Sequence, residues 1–166
     1  RKAVSGDSST VALVARQELL LAARSRWVQT FAVGFGLLAL AVAASGRALS
    51  GAQGLDRFAR ISVSLAQLVV LAVPLVALVM GVLELVPERG SAEMLFSQPV
   101  SRRSILVGKF LGLLAALSAA ELVGFGAAGI AIFSRTGAMG AGGYALLVLG
   151  SILLTAEFLA IAAFLA

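Results

Sequence analysis

Two glutamates stand alone in long apolar runs. Glu121 is the one charged residue between Phe110 and Ser134, and Glu157 is the one between Thr136 and Ala166. A lone carboxyl group in hydrocarbon is costly, so each must face a protein interior, water or a partner. At ~1.5 Å of rise per residue, Glu121 falls roughly 16 Å past Phe110 and Glu157 roughly 21 Å past Gly143, depths about 7 Å apart that allow one shared polar environment. The chemistry open to them is a proton or substrate site, or a protonated carboxyl hydrogen-bonded to a neighbouring helix. For Glu157 a third possibility is that the span ends before it. No nucleophile–base pair or metal set accompanies either glutamate, which leaves a membrane-embedded enzyme little to work with. The chain has no Cys and no His, so zinc, iron–sulfur and disulfide chemistry lack their ligands. Copper would find only three Met and carboxylates, a poor soft-ligand set.

A second concentration of chemistry lies in Glu84–Gly112, ELVPERGSAEMLFSQPVSRRSILVGKFLG, which holds seven charged residues: Glu84, Glu88, Arg89, Glu93, Arg102, Arg103 and Lys109. Pro87 stops the preceding helix and Gly90 turns the chain. Ser91 can cap a short helix, AEMLF, with Glu93 in the first turn, where a carboxylate suits the helix dipole. Gln98 and Pro99 end it, and Ser101 caps the next long helix, anchored at the inner surface by Arg102, Arg103 and Lys109. The apolar content of the short helix is Met94, Leu95 and Phe96. A free helix of that length is marginal in water, so it needs lipid or protein to dock on.

The elements that must position these groups are membrane helices. Hydrophobic residues make up 60% of the chain, charged residues 13%, and the mean hydropathy is +1.04, values outside the range of a water-soluble domain. Four runs approach or exceed the ~20 residues that cross a bilayer. The reading is an all-α, polytopic helical membrane protein: a cytoplasmic tail and interfacial helix over residues 1–26, and a transmembrane domain over 27–166. Its spans are 27–46, 61–83, 104–133 and 143–166, with the charged segment 84–103 between the second and third. Arg1, Lys2, Arg16, Arg24 and Arg26 share one side with Arg89, Arg102, Arg103 and Lys109; the other side has Arg47, Arg57, Arg60 and Arg135. This asymmetry puts the N-terminus and the charged segment in the cytoplasm. The same argument assigns the sequence pI of about 11.1 to topology and contact with anionic membrane lipids rather than to nucleic-acid binding.

Residues 1–8 read as a disordered tail, with Ser8, Ser9 or Thr10 capping the helix through VALVARQELLLAARSRW. Arg24, Arg26 and Trp27 fall at headgroup level. Residues 47–60, with Gly51 and Gly54 as breakers, and 134–143 read as short outer loops. Pro74 interrupts the hydrogen bonding of the second span. Gly108 and Gly112 form a GxxxG pair in the third span, and Gly126 and Gly129 continue a line of small residues. Such a line serves helix packing, within the chain or at a dimer seam.

ERGSAEMLFSQPVSRRSILVGKFLG resembles the cytoplasmic coupling segment of ABC-2-type permeases, the membrane subunits of one class of ATP-binding-cassette transporters. ARQELLLAARSRW is similar to that family's connecting helix, and LVGFGAAGIAI fits its third span; together these cover most of residues 15–133. Within the family, ARQEL, RSRW, GKFLG and LVGFGAAG are most similar to the permease of the nitrous-oxide reductase copper-maturation system, although GVLELVPERGS departs from its acidic, tyrosine-containing stretch. The resemblance implies that Glu88, Arg89, Gly90, Ser91, Glu93, Met94, Leu95, Phe96, Gln98 and Pro99 couple to a cytoplasmic ATPase subunit, Glu88 and Arg89 by polar docking and Met94, Leu95 and Phe96 by apolar docking. It further implies a bacterial inner-membrane permease that is not itself an enzyme and pairs with a second permease copy, most simply as a homodimer. A periplasmic accessory protein is an expected partner. No cofactor is expected in this chain, ATP and Mg being held by the ATPase, and no GxxxxGK[ST] phosphate loop is present. Permeases that export lipids, polysaccharides or drugs share the general pattern and form the alternative. Six spans are typical of the family, so the chain reads as four spans of a C-terminally incomplete permease.

Overall fold

The computed structural model describes residues 3–45, 55–85, 102–137 and 140–165. Apart from the turns that separate them, they form five helices: α1 (Ala3–Arg24), α2 (Arg26–Ser45), α3 (Leu55–Leu85), α4 (Arg102–Thr136) and α5 (Ala141–Leu165). Stretches long and apolar enough to cross a membrane are Arg26–Ser45, Phe58–Leu85, Ile105–Ser134 and Ala141–Leu165. A helix answers the central constraint of hydrocarbon, because each backbone N–H finds its carbonyl within the same segment. The 31 residues of α3 and 35 of α4 exceed what a ~30 Å core requires, so both project beyond it.

Several helices extend past their expected limits. The tail expected over residues 1–8 is helical from Ala3, and Ser8, Ser9 and Thr10 lie within α1 instead of capping it. Nothing in residues 3–10 breaks a helix: Gly6, Asp7 and the hydroxyl residues each cost up to about 1 kcal/mol, but no proline removes a donor. α3 is helical from Leu55, ahead of the charge-free run that begins at Ile61. Charged residues at a helix end cost little where they reach water or headgroups. α5 continues to Leu165, so Glu157 lies inside the helix and the span does not end before it. The reversal between α4 and α5 uses two left-handed glycines, Gly137 (φ 64°) and Gly140 (φ 83°). Gly137 N–H returns to Phe133 O at 3.0 Å, closing α4 as a C-terminal glycine does.

α4 is the central helix. It packs most extensively on α1 and α2, while α3 packs chiefly on α5. Two apolar clusters fill the bundle. One joins Phe35, Ala39, Leu65, Val69, Val73, Phe125, Ala128 and Tyr144; the other joins Val28, Met80, Leu85, Leu113, Leu117 and Leu159. The second gathers the start of α2 and α4 with the end of α3 and α5, so consecutive spans alternate in direction. By the distribution of basic residues this is the cytoplasmic end. Outside the clusters, large apolar side chains such as Leu37, Leu71, Ile130 and Leu153 are exposed, as a lipid-facing surface demands.

Candidate functional site

At the cytoplasmic end one side chain ties three helices. Lys109, two turns into α4, extends its ammonium to the Glu18 carboxylate of α1 at 3.3 Å. The same Nζ donates to the Glu84 carbonyl of α3 at 3.0 Å. Glu84 lies in the last turn of α3, where backbone carbonyls have no intrahelical donor and a cation is favoured. The sequence placed Lys109 beside Arg102 and Arg103 as a headgroup anchor. Lys109 turns inward instead, because α1 lies against α4 and brings Glu18 within reach.

Gly112 permits that approach. A Cβ there would lie 2.6 Å from Glu18 Cβ and 2.7 Å from Ala15 O, so α1 crosses α4 almost backbone to backbone. The first half of the expected GxxxG line therefore packs within the chain: Gly108 and Gly112 are both buried. Gly129 also faces a neighbour, the ring of Tyr144, whereas Gly126 meets nothing within 4 Å and serves no packing among the described residues. A further glycine contact lies between α2 and α4, where a Cβ on Gly124 would stand 2.7 Å from the Phe35 ring and 3.3 Å from Gly36 Cα. α1 is thus a docked helix and not simply a lead-in. Its break from α2 falls at Ser25, whose N–H bonds Ala22 O and whose carbonyl accepts from Gln29 N. Arg24, Arg26 and Trp27 remain exposed at this level.

Glu88, Arg89, Gly90, Ser91, Glu93, Met94, Leu95, Phe96, Gln98 and Pro99 lie outside the described residues. Their two anchor points are described: the segment leaves α3 at Leu85 and enters α4 at Arg102, and Lys109 joins the ends of those two helices.

The second polar feature is at mid-depth, between the two apolar clusters. Glu121 of α4 is 1% exposed. The Ser151 hydroxyl donates to its Oε2 at 2.6 Å, and the Thr155 hydroxyl donates to its Oε1. Ser151 and Thr155 are four residues apart and therefore share one face of α5. Glu157 does not join them. It is exposed on another face of α5, and the anticipated shared environment of the two glutamates is absent. Four residues separate Ser151 from Thr155, but Glu157 stands two beyond Thr155, roughly 200° around the helix. Nearer the outer end, Tyr144 OH donates to Phe125 O at 2.5 Å, and its ring stands edge-on to Phe125 and Phe133. Among the described residues no cluster of three or more His, Cys, Asp or Glu is placed to hold a metal. Each of these hydrogen bonds joins α4 to α5. The sequence reading missed Ser151, Thr155 and Tyr144. The one available signal was an i, i+4 hydroxyl pair in a span otherwise almost wholly apolar.

A family model described as "ABC-2 family transporter protein" matches residues 12–166. A relative from Stutzerimonas stutzeri, described as "Probable ABC transporter permease protein NosY", is 37% identical over 121 residues, covering 72% of this chain and 44% of the relative. A protein of the same description from Pseudomonas aeruginosa is 34% identical over 155 residues, covering 90% of this chain and 56% of the relative. The chain spans about half the length of the curated relatives it matches.

Proposed function

The chain belongs to the ABC-2 family of transporter proteins, and from that membership we propose that it is the part of a multi-pass inner-membrane permease that receives the stroke of a separate ATPase subunit. Residues 88–98 dock on the ATPase, with Glu88 and Arg89 making polar contacts and Met94, Leu95 and Phe96 filling an apolar groove. A second permease copy completes the assembly, and ATP and Mg stay with the ATPase.

The observation that carries this reading is the three-helix tie at Lys109. The docking segment is held between the end of α3 and the start of α4, and Lys109 links both to α1. A displacement of the segment therefore reaches three helices within two turns of its anchor points. α4, 35 residues long and central to the bundle, carries it towards the outer face. The stroke requires that the ATP-bound ATPase prefer one arrangement of the permease, because a ligand shifts an equilibrium only by its differential affinity.

The output of the stroke is mechanical drive to an extracytoplasmic partner that matures a copper site. Its support is the likeness of ARQEL, RSRW, GKFLG and LVGFGAAG to the permease of such a system, together with the absence of Cys and His ligands from these 166 residues. A mild-detergent pull-down of the full-length protein, read by mass spectrometry, tests the reading. An ATPase chain is expected whose recovery is lost on Glu88→Ala/Phe96→Ala, with a periplasmic protein in the same eluate. Recovery of the ATPase without a periplasmic partner would favour an exporter of lipid, polysaccharide or drug. Absence of any ATPase would overturn the coupling role.

A further inference from the structure

The contacts divide the bundle into two bodies. α4 is bound to α1 by the crossing at Gly112 and to α2 by the crossing at Gly36 and Gly124, where glycine brings the helices into close approach. α3 is bound to α5 in the same manner: a methyl on Gly81 would land within the van der Waals envelope of Ala162. Between α1, α2 and α4 on one side and α3 and α5 on the other, packing is sparser, although both apolar clusters extend across the boundary.

Polar ties cross that boundary at three depths. Lys109 Nζ reaches Glu84 O at the cytoplasmic end, Ser151 and Thr155 bind Glu121 at mid-depth, and Tyr144 OH binds Phe125 O towards the outer end. Each joins α4 to a helix of the other body. Between α4 and its own partners α1 and α2, close backbone approach predominates, with the Glu18–Lys109 pair the one ion pair found there among the described residues.

We propose that this boundary is a shear seam within the permease and that Glu121 is the positioning residue that sets its register at mid-membrane. Glycine-mediated crossings fix helices at one separation, because backbone or Cβ atoms, which have no rotamer to change, face Gly112 (Ala15 O and Leu19 N), Gly124 (Gly36 Cα) and Gly81 (Ala162 Cβ). Hydrogen bonds from side chains can be exchanged as two helices slide by 1–2 Å, the scale on which packed helices shift between states. Of the three ties only Glu121 uses two donors on successive turns of α5. A slide along α5 therefore strains one bond before the other, which makes this tie selective for one register. The proposed docking residues 88–98 lie in the chain between α3, of one body, and α4, of the other. Force applied there, on the proposed coupling to an ATPase, would work directly across it.

The test uses the full-length protein with its ATPase in lipid nanodiscs, with labelled copies diluted among unlabelled ones. These 166 residues contain no native cysteine to compete. Nitroxide labels go on lipid-facing positions by Leu37→Cys, Leu71→Cys, Ile130→Cys and Leu153→Cys, all exposed and outside the core. Electron–electron distances are read within bodies (37 with 130, 71 with 153) and across the seam (130 with 153). Glu121→Ala is expected to broaden the cross-seam distance and shift it by about 1–2 Å, leaving the two within-body distances unchanged. Ser151→Ala/Thr155→Val should do the same with Glu121 intact, which covers the case in which Glu121→Ala does not fold. Glu121→Gln, which keeps one acceptor oxygen for the two hydroxyl donors, should fall between the wild type and Glu121→Ala. Equal broadening of all three distances, or none across the seam, would overturn the proposal. In the wild type a non-hydrolysable ATP analogue should shift the cross-seam distance alone. A variant effect without any nucleotide response would leave the seam standing and overturn the coupling; a nucleotide response spread over all three pairs would overturn the seam.

Discussion

Gly112→Ala probes how firmly α1 is docked. The added methyl would sit 2.6 Å from Glu18 Cβ, 2.7 Å from Ala15 O and 3.1 Å from Leu19 N. Carbon–carbon contacts are comfortable at about 3.5–4.0 Å, so the two helices must part by roughly 1 Å. Two of the three obstacles are backbone atoms, which cannot rotate aside. Overpacking of this kind costs about 1–3 kcal/mol. The Glu18–Lys109 pair at 3.3 Å would stretch as well. With Lys109 more than a third exposed, screening keeps that loss below about 1 kcal/mol. Hydrogen exchange of the α1 amides in the reconstituted protein reads the effect. A loss of 1–3 kcal/mol accelerates exchange through local opening by about 5- to 150-fold. Gly126→Ala is the control: nothing lies within 4 Å of the new methyl, and replacing a helical glycine is neutral or stabilises by up to about 1 kcal/mol. If Gly112→Ala leaves α1 as protected as in the wild type, or if Gly126→Ala is equally damaging, α1 is not docked as described.

Three further outcomes follow from the ties across the bundle. Ser151→Ala/Thr155→Val removes two interhelical hydrogen bonds and should cost about 1–3 kcal/mol in mixed-micelle unfolding, whereas Glu121→Gln should cost about half as much; equal losses would contradict the paired geometry. Tyr144→Phe keeps the edge-on ring contacts and loses the hydroxyl's bond to Phe125 O, about 1 kcal/mol in the same assay, and no loss at all would mean that this bond does not hold α5 to α4. Lys109→Met should leave the ATPase bound but reduce the change in its turnover that the permease causes. Full coupling in that variant would deny the three-helix tie its role.

The spans were legible because hydrocarbon imposes a condition that composition alone reveals: runs such as Ile61–Leu83 are too long and too free of charge to be anything else. The expectation that Glu121 needs a neighbouring helix was also within reach, since a buried carboxyl group must be satisfied. Its partners were harder to see. Ser and Thr hydroxyls occur throughout membrane helices, and only the rotation of α5 about its axis selects Ser151 and Thr155. The same rotation turns Glu157 away from them, and depth along a helix carries no information about azimuth. Lys109 shows a related limit. A basic residue near a span end reads as a headgroup anchor until α1 is folded back onto α4, and that packing depends on the missing side chain of Gly112. The helical starts were placed too late because polar residues were taken as stops, whereas Ser8, Ser9 and Thr10 lie inside α1 and Asp56, Arg57 and Arg60 inside α3.

The central claim, that the segment between α3 and α4 is the docking point of an ATPase, is tested most directly by photo-crosslinking in cells. A photoreactive amino acid is placed at Phe96 of the full-length protein, and another at Gly137 in the turn at the opposite end of the bundle. The account predicts a crosslink from position 96 to a nucleotide-binding chain, lost on Glu88→Ala, and none to that chain from position 137. Crosslinks from position 96 to lipid alone, or to the same chain from both positions, would contradict it.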